Sequence, residues 1–158
     1  MASRTGFAGT ITSGDAVTAA NNNKLPGGKI GRVSATSDSS GTTSTETVAS
    51  VTVTVGSSRE IDIHVHGTLR ATGAGAVSVR VNCDGTQIGR KNFYIAGSAQ
   101  DCTYDLTFTH QPSSGSHTYD LITGVSGSPG TTVTNIASAA NSTQGETRIE
   151  IADMGPAF

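Results

Sequence analysis

Apolar residues recur at every second position along most of this chain. Val51, Val53 and Val55 share one strand face. Ile61, Ile63 and Val65 repeat the pattern, and Val77, Val79, Val81 and Cys83 form its longest clean run. Cys102, Tyr104, Leu106 and Phe108 follow, then Tyr119 with Leu121, then Val133, and finally Ile149 with Ile151. A period of two places successive side chains on opposite faces of a strand and is incompatible with the 3.6-residue period of a helix. Turn-forming clusters separate the runs: Gly56-Ser57-Ser58, residues 73–75, Asp84-Gly85, residues 112–115, residues 127–130 and residues 141–145. Several strands at near-regular spacing predict an all-β protein, an antiparallel, jelly-roll-like β-sandwich. The Ala-rich piece at residues 136–140 is long enough for one helical turn and is assigned to strand or loop.

The 158 residues suit one domain, yet only 34% are hydrophobic and 4% aromatic, and Trp is absent. The core must come from Val, Ile, Leu and Ala, so a thin core is expected. A thin core and open sheet edges both favour burial against neighbouring copies, and a homotrimer is the expected assembly. The net charge of −2, with dispersed Arg and Lys, gives a nucleic-acid partner no electrostatic support. No apolar run approaches a membrane span, and the Met1-Ala2-Ser3-Arg4 start carries no secretory pattern. The expectation is a chain folded in a cytoplasm, with no membrane partner.

The N-terminal part lacks a core pattern. Residues 1–28 are read as an extended docking arm ending in the turn Leu25-Pro26-Gly27-Gly28, and residues 29–158 as the sandwich. A first short strand is expected over residues 29–33. Residues 34–47 (SATSDSSGTTSTET) form a low-complexity loop, either a solvated linker or an exposed binding loop.

Two segments carry a family resemblance. Residues 14–28 read GDAVTAANNNKLPGG and residues 147–157 read TRIEIADMGPA. Together they resemble the opening and closing segments of minor tail and tail-fibre proteins of long-tailed bacteriophages that infect actinobacteria. The resemblance implies a non-enzymatic virion structural protein, assembled in the host cytoplasm. It would be trimeric, docked on other virion proteins through its arm, with loops directed outward towards the host. A capsid decoration protein docked on the shell is the alternative location.

Few residues invite chemistry. Asp62, His64 and His66 line one face of a strand, opposite Ile61, Ile63 and Val65. Two imidazoles and a carboxylate at that spacing suit either a solvated polar face or a transition-metal site shared between subunits, and the polar face is preferred. Cys83 and Cys102 are the only cysteines and sit at inward positions. They are read either as a disulfide across neighbouring strands or as two small buried hydrophobes. His110 and His117 flank the turn at residues 112–115 and are expected to face one another across a hairpin. No Gly-x-Ser-x-Gly elbow, phosphate loop, dinucleotide fingerprint or calcium loop is present, and Asp101, Asp105 and Asp120 are scattered. No catalytic, metal or cofactor residue is therefore assigned. Of Tyr94, Tyr104 and Tyr119, two are expected to face inward, which leaves a cell-wall or host-surface glycan-binding module, or a glycan hydrolase, as the less favoured class.

Overall fold

The computed structural model describes residues 3–5, 10–12, 27–35, 37–39, 41–97, 100–126, 132–136 and 146–157. In chain order the strands are β1 (Ser3–Thr5), β2 (Thr10–Thr12), β3 (Gly28–Ser34), β4 (Thr45–Val55), β5 (Arg59–Ala71) and β6 (Gly75–Cys83). They continue with β7 (Thr86–Ile95), β8 (Gln100–His110), β9 (Gly115–Val125), β10 (Val133–Ile136) and β11 (Arg148–Pro156). No helix occurs among the described residues. The protein is the all-β antiparallel sandwich that the alternation predicts.

One sheet has four strands in the order β4-β9-β6-β7. The other has five and is centred on β5. Residues 61–71 of β5 pair with β8 on one side. On its other side, residues 59–66 pair with β11 and residues 68–71 pair with β10. Strand β3 pairs with the far edge of β11. The inner faces are those the sequence marks. Ile61, Ile63, Val65, Val77, Val79, Val81, Leu121, Ile149 and Ile151 are fully buried, and Cys102, Leu106 and Phe108 pack against them partly buried. Each such aliphatic side chain contributes about 1.5–3 kcal/mol on leaving water.

Pairing departs from what the turn signals suggest. From β3 to β11, consecutive strands are paired neighbours only at β6–β7. There Asp84 and Gly85 adopt φ of 49° and 80°, the left-handed pair that a two-residue type I′ hairpin requires. Gly56–Ser58, residues 72–74 and residues 111–114 instead carry the chain from one sheet to the other. The hairpin expected between His110 and His117 is thus an inter-sheet arch, because β8 pairs with β5 and β9 pairs with β4 and β6. The loop expected over residues 34–47 ends sooner. Thr45, Glu46 and Thr47 already pair with β9, as β-favouring threonines do when a partner edge is available.

Of the arm expected over residues 1–28, β1 and β2 pair with each other, Ser3 opposite Thr12. Most of the remainder, including residues 14–26, lies outside the described residues, as do the turns expected at 127–130 and 141–145 and residues 137–140 of the Ala-rich piece.

Glycines close the two open sides of the sandwich. A Cβ on Gly31 of β3 would fall 2.5 Å from Val53 Cγ1 and 2.9 Å from Val51 Cγ2 of the opposite sheet. A Cβ on Gly89 of β7 would strike the Phe108 ring on β8. Both edges can therefore lean onto the facing sheet. Tyr94 is the only large apolar side chain exposed among the described residues, at 74%. The buried aliphatic residues form one cluster within the chain.

Gly67, in the middle of β5, gives a test of this packing. An added Cβ would lie 2.6 Å from the Tyr104 hydroxyl and would also strike Thr147 Oγ1. Gly67→Ala should cost about 1–3 kcal/mol. Gly56→Ala, whose Cβ would meet nothing closer than Arg59 Cγ at 3.7 Å, should be near neutral. Urea unfolding of both variants checks the difference.

Candidate functional site

Three polar constellations stand out from the apolar framework. The first joins the two segments that carry the family resemblance. Arg59, at the start of β5, is 8% exposed and donates from Nε to both carboxylate oxygens of Asp153, at 2.9 and 3.0 Å. Its Nη2 lies 2.8 Å from Asp153 Oδ1. The backbone N–H of Gly155 donates to the same oxygen at 3.0 Å. A register shift between Asp153 and Gly155, with Gly155 at φ 115°, lets the carboxylate reach back into that position. Gly27 closes the other side, since a Cβ there would fall 2.6 Å from Asp153 Oδ2. Asp153 also pairs in register with Gly28. The Gly-Gly that ends the N-terminal segment and the Asp of Ile-Ala-Asp-Met-Gly-Pro thus form one clasp at the root of the arm.

The second constellation is the outer face of the five-stranded sheet. Asp62, His64 and His66 do share this face, and their cross-strand partners continue it. Glu150 and Thr107 flank His64, while Arg148 and Asp105 flank His66. His64 Nε2 lies 2.6 Å from Asp105 Oδ1, and that bond chiefly holds the Asp105 carboxyl below its usual range. Asp62 accepts from Thr109 Oγ1 at 3.0 Å. The imidazoles of His64 and His66 stack with centroids 6.2 Å apart. Beside them Glu150 lies 3.0 Å from Lys29, 3.4 Å from Arg32 and 3.3 Å from Arg148, an ion-pair network across β3 and β11. Asp62 and His64 are each engaged with β8, and the triad's donor atoms are not a converging group. The face is lined by charged and polar side chains. His66 is the strained member. Its Nε2 is buried without a hydrogen-bond partner, and burial first, then the charges of Arg148 and His64, push its pKa below 6.5.

The third constellation is one the sequence does not single out. Cys83, Asp84, His110, Pro112, Ser113 and His117 line a pocket of about 290 Å³ at one end of the sandwich. The Asp84 N–H donates to the Thr118 carbonyl at 2.9 Å, and Asp84 Oδ1 accepts from the Thr118 N–H at 2.8 Å. Asp84 Oδ2 lies 2.7 Å from His117 Nδ1 and 3.9 Å from Cys83 Sγ. The Thr118 amide and then His117 hold Asp84 below the usual carboxylate range, and Asp84 in turn raises His117. Burial and the Asp84 charge push the Cys83 thiol up. His110 bonds to the Tyr119 hydroxyl at 3.2 Å, and burial lowers its pKa. A Cys, a His and an Asp meet here, but not as a nucleophilic triad. Both His117 nitrogens are engaged, Nε2 with the Ser113 carbonyl at 2.9 Å, so neither serves Cys83 as a base.

Cys83 and Cys102 are both free thiols. They do not lie on neighbouring strands: β6 and β8 belong to different sheets, and Cys102 is near the opposite end of β8 from His110. The two read as small buried or half-buried groups, the second alternative from the sequence. Tyr104 and Tyr119 face inward as expected, and Tyr94 does not. The pairing of Asp84 with His117 was hidden by a separation of 33 positions. The only signal for it was the Asp-Gly turn.

No family model matches the chain, and no curated protein matches it in sequence. Among solved structures it is similar in fold to dimeric latent PorU from Porphyromonas gingivalis, at 10% identity and TM-score 0.47. That match covers 92% of this chain but only 14% of PorU. It is also similar to carbohydrate-binding module CBM36 in complex with calcium and xylotriose, at 15% identity, TM-score 0.37, and 76% and 98% coverage of the two chains. The CBM36-1 domain of a multidomain xylanase from the hindgut metagenome of Trinervitermes trinervoides matches at 16% identity, TM-score 0.37, and 76% and 94% coverage. Nothing about chemistry follows from likenesses at this level.

Two outcomes test the geometry. Breaking the clasp with Arg59→Met strands a half-buried carboxylate and should cost about 3 kcal/mol, while Arg59→Met with Asp153→Leu recovers part of the loss. Urea unfolding of the three proteins checks this. For His66 the linkage has a definite sign. The unfolded imidazole takes a proton near 6.5, the folded one only at lower pH, so stability falls as pH drops from 6.5 towards the folded value. Between about pH 7.5 and about pH 5 the wild type should lose more stability than His66→Gln. Equal losses, read from denaturation midpoints, would remove this role from His66.

Proposed function

We propose that the chain is a non-enzymatic structural module of a bacteriophage virion, of minor tail or tail-fibre type, anchored through its N-terminal arm. The observation that carries this reading is the clasp. The two segments that resemble phage tail proteins are far apart in the sequence, yet they meet at Gly27, Gly28 and Asp153. They are therefore parts of one feature, which fixes Gly27 and Gly28 against β11 at the start of the sandwich. A tether that bears load needs an ordered root, and here the edge strand β3, which begins at Gly28, is backed by β11 and its Asp153–Arg59 ion pair.

The sandwich itself offers surfaces rather than a reaction centre. The charged face over β5, β8 and β11 and the edges of β3, β4, β7 and β8 are the surfaces for neighbouring copies or other virion proteins. A homotrimer would cover such edges. Placement on a capsid shell as a decoration protein is the second location for the same module. Glycan recognition has weaker support, since Tyr94 is the one large apolar side chain exposed among the described residues.

Deletion of residues 1–24 should leave the sandwich folded by circular dichroism and abolish incorporation into particles. Imaging particles that carry a labelled full-length copy then separates tail from shell. Truncated protein incorporated at normal occupancy would remove the docking role. A label on neither structure would overturn the virion reading.

A further inference from the structure

We propose that Cys83, Asp84 and His117 form a binding site for one divalent transition-metal ion of the zinc type, with a water in the fourth position facing the pocket. The donor atoms of these three residues lie within 4.8 Å of one another, a convergence found for no other such group among the described residues.

The argument begins with His117. Its Nε2 lies 2.9 Å from the carbonyl oxygen of Ser113, which can only accept, so Nε2 carries a hydrogen. A neutral imidazole then presents the lone pair of Nδ1 to Asp84 Oδ2, 2.7 Å away. Two lone pairs at that distance require a cation between them, either a second proton or a metal ion. A backbone carbonyl that fixes the far ring nitrogen is the usual support of a metal-bound histidine.

Backbone geometry brings the other two donors to the same place. Cys83 and Asp84 are adjacent, and in a continuing strand they would face opposite ways. The left-handed φ of 49° at Asp84 turns its carboxylate back, to 3.9 Å from Cys83 Sγ. Tetrahedral zinc holds nitrogen, oxygen and sulfur ligands roughly 3.3–3.6 Å apart, as its bond lengths of about 2.0–2.3 Å require. The present separations bracket that range, and small side-chain rotations at a surface turn reach it. On binding, Cys83 Sγ gives its proton to solvent as the sulfur–metal bond forms. The Tyr119 hydroxyl, hydrogen-bonded to Cys83, lies behind the sulfur. The pocket of about 290 Å³ leaves room for the water ligand.

The donor set selects the metal. One thiolate, one imidazole and one carboxylate suit Zn²⁺ and its cobalt surrogate, whereas Ca²⁺ and Mg²⁺ need more oxygens than the site offers. A bound ion would join the β6–β7 turn to β9 and, through Ser113, to the inter-sheet arch. The site stands on these residues alone and is independent of any virion role.

The test is a Co²⁺ titration of the chelator-treated full chain, followed by its thiolate-to-cobalt charge-transfer band, with Zn²⁺ and Ca²⁺ as competitors. The expected result is saturation at one equivalent, displacement by Zn²⁺ and no displacement by Ca²⁺. The band should vanish in Cys83→Ser and persist in Cys102→Ser. His117→Gln should weaken binding by at least the roughly 10- to 100-fold that loss of even a supporting residue produces. Thermal unfolding supplies a second readout. Zn²⁺ should raise the melting temperature of the wild type and leave His117→Gln unmoved, a comparison that stands even if Cys83→Ser folds poorly. No band at one equivalent, or a band that survives in Cys83→Ser, would overturn the site.

Discussion

The fold depends on one long-range insertion. Strand β11 lies between β3 and the central strand β5 and pairs with both along most of its length. Its Ile149 and Ile151 are fully buried, and its outer residues Arg148 and Glu150 hold the ion-pair network of the charged face. Without β11, β5 would lose its partner on one side over residues 59–66, and β3 would have no partner within its sheet. Strands β3 and β11 are therefore one cooperative unit, although more than a hundred residues separate them in the chain. Asp153 secures that strand through three donors, two on Arg59 and the Gly155 amide, so its half-buried carboxylate is fully hydrogen-bonded.

Strand identity and facing were legible in the sequence, because burial on one face imposes a period of two that nothing else in this chain imitates. Every alternating run, from Val51 to Ile151, lies in a strand, and the Asp84-Gly85 turn has the backbone its sequence demands. Pairing was not legible. A turn of Gly and Ser at 56–58 is compatible with a hairpin and with an arch between sheets, and the choice is made by tertiary packing that a local pattern does not carry. The same limit hid both polar sites. Arg59 and Asp153 lie 94 positions apart with no local pattern to join them, and Cys83, Asp84 and His117 read as an inward thiol, a turn residue and a histidine flanking the turn at residues 112–115. Only the β6–β9 register, with Cys83 opposite Tyr119, brings His117 beside the turn. The histidines on β5 were the reverse case. Their spacing was conspicuous, but β8 supplies Asp105 and Thr109 and turns the cluster into a polar surface.

These features divide the molecule by role. Apolar packing and the clasp hold the sandwich together, and the sheet edges and charged face are its outward surfaces. The pocket at the β6–β7 turn is the one place where donor groups of different chemistry converge, and it lies on the body rather than at the root of the arm. A structural module can carry such a site as a local staple, because a metal bound only by the folded state adds its binding free energy to stability.

Native-state hydrogen exchange tests the central claim most directly. If β11 is the inserted strand on which both β3 and β5 depend, the amides of residues 149–152 should exchange as slowly as those of residues 61–65, with the same dependence on denaturant, because both open only when the sandwich unfolds. Fast exchange in β11 while β5 stays protected would mean that β11 is a detachable edge, and would contradict the account.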